Sequence, residues 1–127
     1  MAGFSNYLET KVLEHVFGGS AYTAPTTLYV ALFTAAPSDT GGGTEVSGGA
    51  YARQTAAFTV SGDTASNTAA IEYATATADY GTVVAMGVYD ALTSGNSLAY
   101  GTLTTSKTVS NGDVFRFNAS AIDITLT

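Results

Sequence analysis

The segment Thr27 to Ala35, TLYVALFTA, constrains the fold of this chain more than any other stretch. Successive side chains of an extended strand point to opposite faces. Leu28, Val30 and Leu32 therefore share one face, and Tyr29, Ala31 and Phe33 share the other. A strand that is apolar on both faces has to be covered on both, inside its own domain or between subunits. Pro25 precedes it and Pro37 follows it, where a missing amide does least harm to a ladder.

Ahead of this strand the pattern is helical. Leu8, Val12 and Val16 recur at four-residue spacing, with Leu13 and Phe17 alongside. Ser5 is placed to cap the first turn, and Glu9 lies near the positive end of the helix dipole. Gly18 offers a left-handed residue at the stop, so the spacing predicts one helix over residues 5–17. Three turns are marginal in isolation, and such a helix has to dock on something. Phe4, Tyr7 and Leu8 place apolar bulk at its start and are candidate docking residues.

Everything after Ala21 reads as strand and turn. Strands are expected over 51–60, 68–75, 81–90, 97–105, 107–109, 114–119 and 121–127. The last alternates cleanly, with Ile122, Ile124 and Leu126 inward and Asp123, Thr125 and Thr127 outward. Ser110-Asn111-Gly112-Asp113 is a strong tight-turn signal, because Asn and Gly accept positive φ. Short strands with regular turns predict a single mainly-β domain over residues 1–127, an antiparallel sandwich or jelly-roll-like barrel with one N-terminal helix. At 127 residues the chain is long enough for one core and too short for two.

The longest irregular region spans residues 36–50 and contains TGGGTEVSGG. A phosphate-cradling loop needs a strand-loop-helix setting and a lysine, and this loop has neither. It reads instead as a flexible loop, either an unconstrained surface loop or one ordered by a partner with Glu45 and Val46 as its bulky contacts. Tyr51 and Arg53 follow it and complete the set of candidate interface residues.

Ten carboxylates face four basic residues, for a net charge of −6. Lys11, Arg53, Lys107 and Arg116 are scattered, whereas nucleic acid and anionic membranes need clustered cations. Neither is an expected partner. No run approaches the 18 or so apolar residues of a membrane helix, and the start lacks the basic-then-apolar order of a secretory signal. A product soluble in the cytoplasm where it is made is expected. Charged residues make up 11% against roughly 25% in ordinary soluble domains, a surface suited to packing against neighbours.

Catalytic chemistry finds little support. The one histidine, His15, lies on the helix, where its ordinary role is to face solvent or complement the dipole. With no cysteine there is no disulfide and no zinc or iron set, so neither metal nor cofactor is expected. Asp39, Glu45, Asp63, Asp79, Asp90 and Asp113 sit in or beside turns, where Asp bonds to backbone. Glu72 lies mid-strand, on what reads as a polar face. Eight tyrosines fit a β core, a protein interface or a carbohydrate face, with the core or cross-strand role as the default. No enzyme activity is expected.

Several local motifs together resemble a family of short virion structural proteins from tailed bacteriophages. They are F-S-N-Y-L-E at Phe4 to Glu9, F-G-G at Phe17 to Gly19, P-x-x-L-Y-V at Pro25 to Val30, G-T-E-V-S-G-G at Gly43 to Gly49 and Y-A-R-Q at Tyr51 to Gln54. The likeness is looser beyond, through Gly87 to Asp90 and Asn111 to Asp113. The resemblance implies a non-enzymatic virion protein that contacts itself as a homo-oligomer and contacts the major capsid protein or tail components. Because no shaft-like repeat is present, capsid decoration is the first expectation. A tail-fibre or baseplate component that binds a host surface glycan is the alternative.

Overall fold

The computed structural model describes residues 2–126. In chain order its elements are β1 (Gly3–Phe4), α1 (Asn6–Val16), β2 (Leu28–Ala35), β3 (Thr44–Glu45), β4 (Gln54–Ala56) and β5 (Phe58–Ser61). There follow β6 (Thr64–Asn67), β7 (Ile71–Glu72), β8 (Gly81–Tyr89), β9 (Ser97–Val109), β10 (Arg116–Phe117) and β11 (Asp123–Thr125). The main sheet runs β1-β9-β8-β2-β3, with β4 also paired to β2. Two smaller sheets, β11-β6-β5 and β10-β7, complete the structure, and every strand pairing is antiparallel.

The layers form a sandwich. Val30 and Leu32 of β2, Val83, Met86 and Val88 of β8, and Ala99 and Val109 of β9 meet Ile71, Phe117 and Ile124 of the smaller sheets in one core. Phe115 joins them, edge-on to Phe117 and to Tyr73. The opposite face of the main sheet carries a second cluster, Ala31, Phe33, Ala85 and Tyr89. Phe33 stacks on Tyr89 at 6.3 Å, and a Cβ at Gly87 would lie 2.9 Å from the Tyr89 ring and 3.1 Å from the Phe33 ring. Glycine there makes room for the pair. Both faces of β2 are thus covered inside the domain, as its apolar pattern requires.

Helix α1 begins as its sequence predicts. The Ser5 Oγ accepts from the Leu8 N–H at 3.3 Å and also donates to the Ser97 carbonyl, which ties the cap to β9. At the other end the left-handed residue is Gly19, with φ +76°, rather than Gly18. Gly18 is constrained for a different reason: a Cβ there would lie 3.1 Å from the Glu14 backbone. The Ser20 N–H closes the end on the Glu14 carbonyl at 3.1 Å.

Several strands differ in extent from the sequence expectation. Residues 51–60 split into β4 and β5 on different sheets, 68–75 shrinks to β7, and 114–119 shrinks to β10. Residues 97–105 and 107–109 form the single strand β9 through a bulge: Ala85 pairs with Thr102 and Val83 already with Lys107. The terminal strand is β11 alone, and the outward placement expected of Thr127 lies outside the described residues. Short pieces persist where side chains finish the backbone bonding. The buried Asn67 amide donates to the carbonyls of Ala69 and Asn118, both at 2.9 Å, and its oxygen accepts from the Ile122 N–H at 2.8 Å.

Candidate functional site

The outer edge of β2 has two partners, β4 along Leu28–Val30 and β3 along Phe33–Ala35. Where one ends and the other begins, two tyrosines take over. The Tyr73 hydroxyl donates to the Val30 carbonyl at 2.7 Å, and the Leu32 N–H donates to the Tyr51 hydroxyl at 3.0 Å. Buried backbone groups need such partners, and here phenols supply them in place of a strand.

From Tyr51 the bonding continues into a polar cluster. Its hydroxyl donates to Glu45 Oε2 at 2.7 Å. Arg53 meets the same carboxylate side-on, Nε to Oε2 and Nη2 to Oε1, both at 2.9 Å. Arg53 Nη1 donates to the carbonyls of Ala91 and Ser94 at 2.9 and 2.8 Å, and its guanidinium carbon sits 4.0 Å from the Tyr89 ring centroid. This forked geometry, stacked on an aromatic ring, is one that arginine fills and lysine cannot.

The electrostatics follow from the contacts. Burial pushes the Glu45 carboxyl up, but the hydrogen bonds from Arg53 and Tyr51 and the Arg53 charge outweigh it, so its pKa is lowered. Burial, then the bond to Glu45, raises the Tyr51 hydroxyl far above its ordinary range. Burial does the same to Tyr73. Neutral phenols and a committed carboxylate offer no nucleophile or general base at neutral pH. Arg53 has one N–H left of five, too little to grip a phosphate or carboxylate. Chemically the cluster is a brace that joins β3, the strand β4 approach and the 91–94 loop.

The predicted residues separate into two groups. Glu45, Tyr51 and Arg53 come together in the brace, and Val46 is buried in the main core. The glycine-rich loop is held on its own subunit by the Ser38–Gly41 bridge, by β3 and by Val46, whose N–H donates to the Leu32 carbonyl at 2.9 Å. Phe4 packs against the main core, while Tyr7 and Leu8 are half-buried. Docking bulk is expected at the start of α1, and the more exposed apolar bulk stands at its end. No residue of α1 is buried, and Leu13, Val16 and Phe17 are 58%, 61% and 82% exposed. The signal was present, since Leu13 and Phe17 stand four apart on one helix face.

Several other titratable groups have structural partners. The His15 Nδ1 accepts from the Tyr22 N–H at 3.0 Å, which fastens the chain returning past the helix. Glu72 pairs across strands with Arg116 at 3.4 Å. Asp79, Asp90 and Asp113 accept the backbone N–H groups of Asn111, Asn96 and Ser110, the turn role expected of them. Among the described residues no group of three or more His, Cys, Asp or Glu is arranged to hold a metal, and no helix is long and apolar enough to cross a membrane.

Fold and cluster together define a small β-sandwich module with an internally braced edge and an uncovered apolar helix end. The family model described as "Podophage GP4 fiber I protein gp80" matches residues 3–125, nearly the whole chain, and the chain belongs to that family. It is a family of fibre-like virion structural proteins of short-tailed phages. A search of curated proteins found no match.

Proposed function

We propose that this chain is a non-enzymatic subunit of the tail-fibre apparatus, seated against a neighbouring virion subunit by the C-terminal end of α1. The exposure of Leu13, Val16 and Phe17 on a helix with no buried residue carries this reading. Covering one fully exposed side chain of this kind contributes at most roughly 1.5–3 kcal/mol, so these three favour docking there as part of a larger contact. Support for a structural role comes also from Glu45, Arg53, Asp90 and Asp113, which are committed to the brace and to turns. The fibre description of the family favours the tail over the capsid-decoration expectation, which rested on the lack of a shaft repeat.

Stained-gel copy number and immunogold labelling of purified virions test the placement. A small copy number with label confined to the tail is expected. Hundreds of copies spread over the shell would overturn the tail reading in favour of capsid decoration.

A further inference from the structure

Past Ser20 the chain returns along α1 with little to hold it. Among the described residues, the bond from the Tyr22 N–H to His15 Nδ1, 3.0 Å long, is the one hydrogen bond made by residues 21–27. A ring nitrogen that accepts carries no proton, so only the neutral imidazole makes this bond. Protonation puts an N–H on Nδ1 and sets donor against donor. His15 is exposed, so protons reach the ring without any opening of the fold. The helix end is closed separately, by the Gly18 and Ser20 N–H groups on the Glu14 carbonyl at 3.0 and 3.1 Å. Loss of the Tyr22 bond therefore leaves α1 formed.

We propose that His15 is a proton-sensitive latch, whose protonation releases Tyr22 and frees residues 21–27 from α1. The ionisable groups around it are Lys11 and Glu14 on α1, paired with each other at 3.6 Å, and Tyr22 on the returning chain. Tyr7 and Asp90 lie close enough for their charges to act on the Tyr22 hydroxyl. Of these side-chain types only histidine ordinarily titrates between about pH 5 and 8. The negative end of the α1 dipole, and Glu14 beside the ring, favour an imidazolium whether or not Tyr22 is bound. The Tyr22 N–H alone distinguishes the two states. A bond made only to the neutral ring is lost as pH falls, by linkage. The latch stands at the same end of α1 as Leu13, Val16 and Phe17 and works whether or not that end docks.

Amide hydrogen exchange on the full chain, read by NMR as the protection of Tyr22 relative to its intrinsic rate, tests this at about pH 7.5 and about pH 5. Protection is expected to fall about three- to tenfold at the lower pH, the span set by one hydrogen bond. His15→Asn puts a carbonyl oxygen on the same Cγ that carries Nδ1 and does not titrate, so its Tyr22 amide should stay protected at both pH values. His15→Ala should lack that protection at both. The side chain is exposed, so neither variant puts folding at stake. Equal protection of the wild-type amide at the two pH values, or the same fall in either variant, overturns the proposal.

Discussion

Tyr51 lies flat against Tyr73, ring centroids 6.1 Å apart and planes 8° from parallel, and their two hydroxyls complete the edge of one strand. The pair converts a break between β3 and β4 into a continuous bonded edge. Tyr51 also links that edge to Glu45 and so to Arg53. Backbone and side-chain bonding at this edge therefore form one unit.

Removing the Tyr51 hydroxyl should be costly for its size. Tyr51→Phe keeps the ring but leaves the Leu32 N–H without an acceptor and removes one of the three hydrogen bonds to Glu45. A loss of about 1–3 kcal/mol is expected, read as a fall of several degrees in Tm. An unchanged melting curve would mean that the hydroxyl does not complete the strand edge.

Acid should weaken the brace through Glu45. Its folded pKa is lowered by Arg53 and Tyr51 against the opposing effect of burial. Its contribution is therefore fully present above the ordinary value of 4.5 and is lost as pH falls through the lower folded value. Glu45→Gln should reduce stability at neutral pH and flatten the acid limb. Denaturant midpoints measured from about pH 3 to 7 check both effects.

Arg53→Lys should not behave as a conservative change. One ammonium cannot span both Glu45 oxygens and also reach the Ala91 and Ser94 carbonyls. A loss of about 2 kcal/mol is expected by chemical denaturation, against less than about 0.5 for Arg116→Lys on the exposed Glu72 pair.

Two glycines of the loop should respond differently to alanine. A Cβ at Gly43 would lie 2.6 Å from the Ala35 carbonyl oxygen and 2.8 Å from the Pro37 nitrogen, backbone atoms with little room to move. Gly42 shares a positive φ but faces open space. Gly42→Ala should cost only the left-handed penalty, about 1–2 kcal/mol, and Gly43→Ala clearly more. Equal midpoints for the two variants would contradict the packing described for this loop.

How much was legible depended on whether the signal was local. β2 and β8 could be read because they are long, buried runs, and α1 because Ser5 and the four-residue spacing mark it. The ends of β7, β10 and β11 were not legible, since they are set by distant partners such as Asn67 and not by propensity. The bulge that makes β9 one strand left no mark in its Thr-rich sequence. Glu45, Tyr51 and Arg53 were legible as residues of interest but not as a brace. Two of the acceptors that complete it are main-chain carbonyls at Ala91 and Ser94, groups every residue has.

The proposed docking end of α1 should separate assembly from folding. Val16→Ser with Phe17→Ser removes exposed apolar surface and no buried contact. Stability of the isolated protein should stay within about 0.5 kcal/mol of wild type, while incorporation into virions falls sharply. Normal incorporation would mean that another surface seats the protein.

A cryo-electron microscopy map of the purified virion tests the central claim most directly. The account predicts density for this sandwich within the tail-fibre apparatus, with Leu13, Val16 and Phe17 buried against an adjacent subunit. Density on the capsid shell, or a tail position in which Phe17 stays open to solvent, would contradict it.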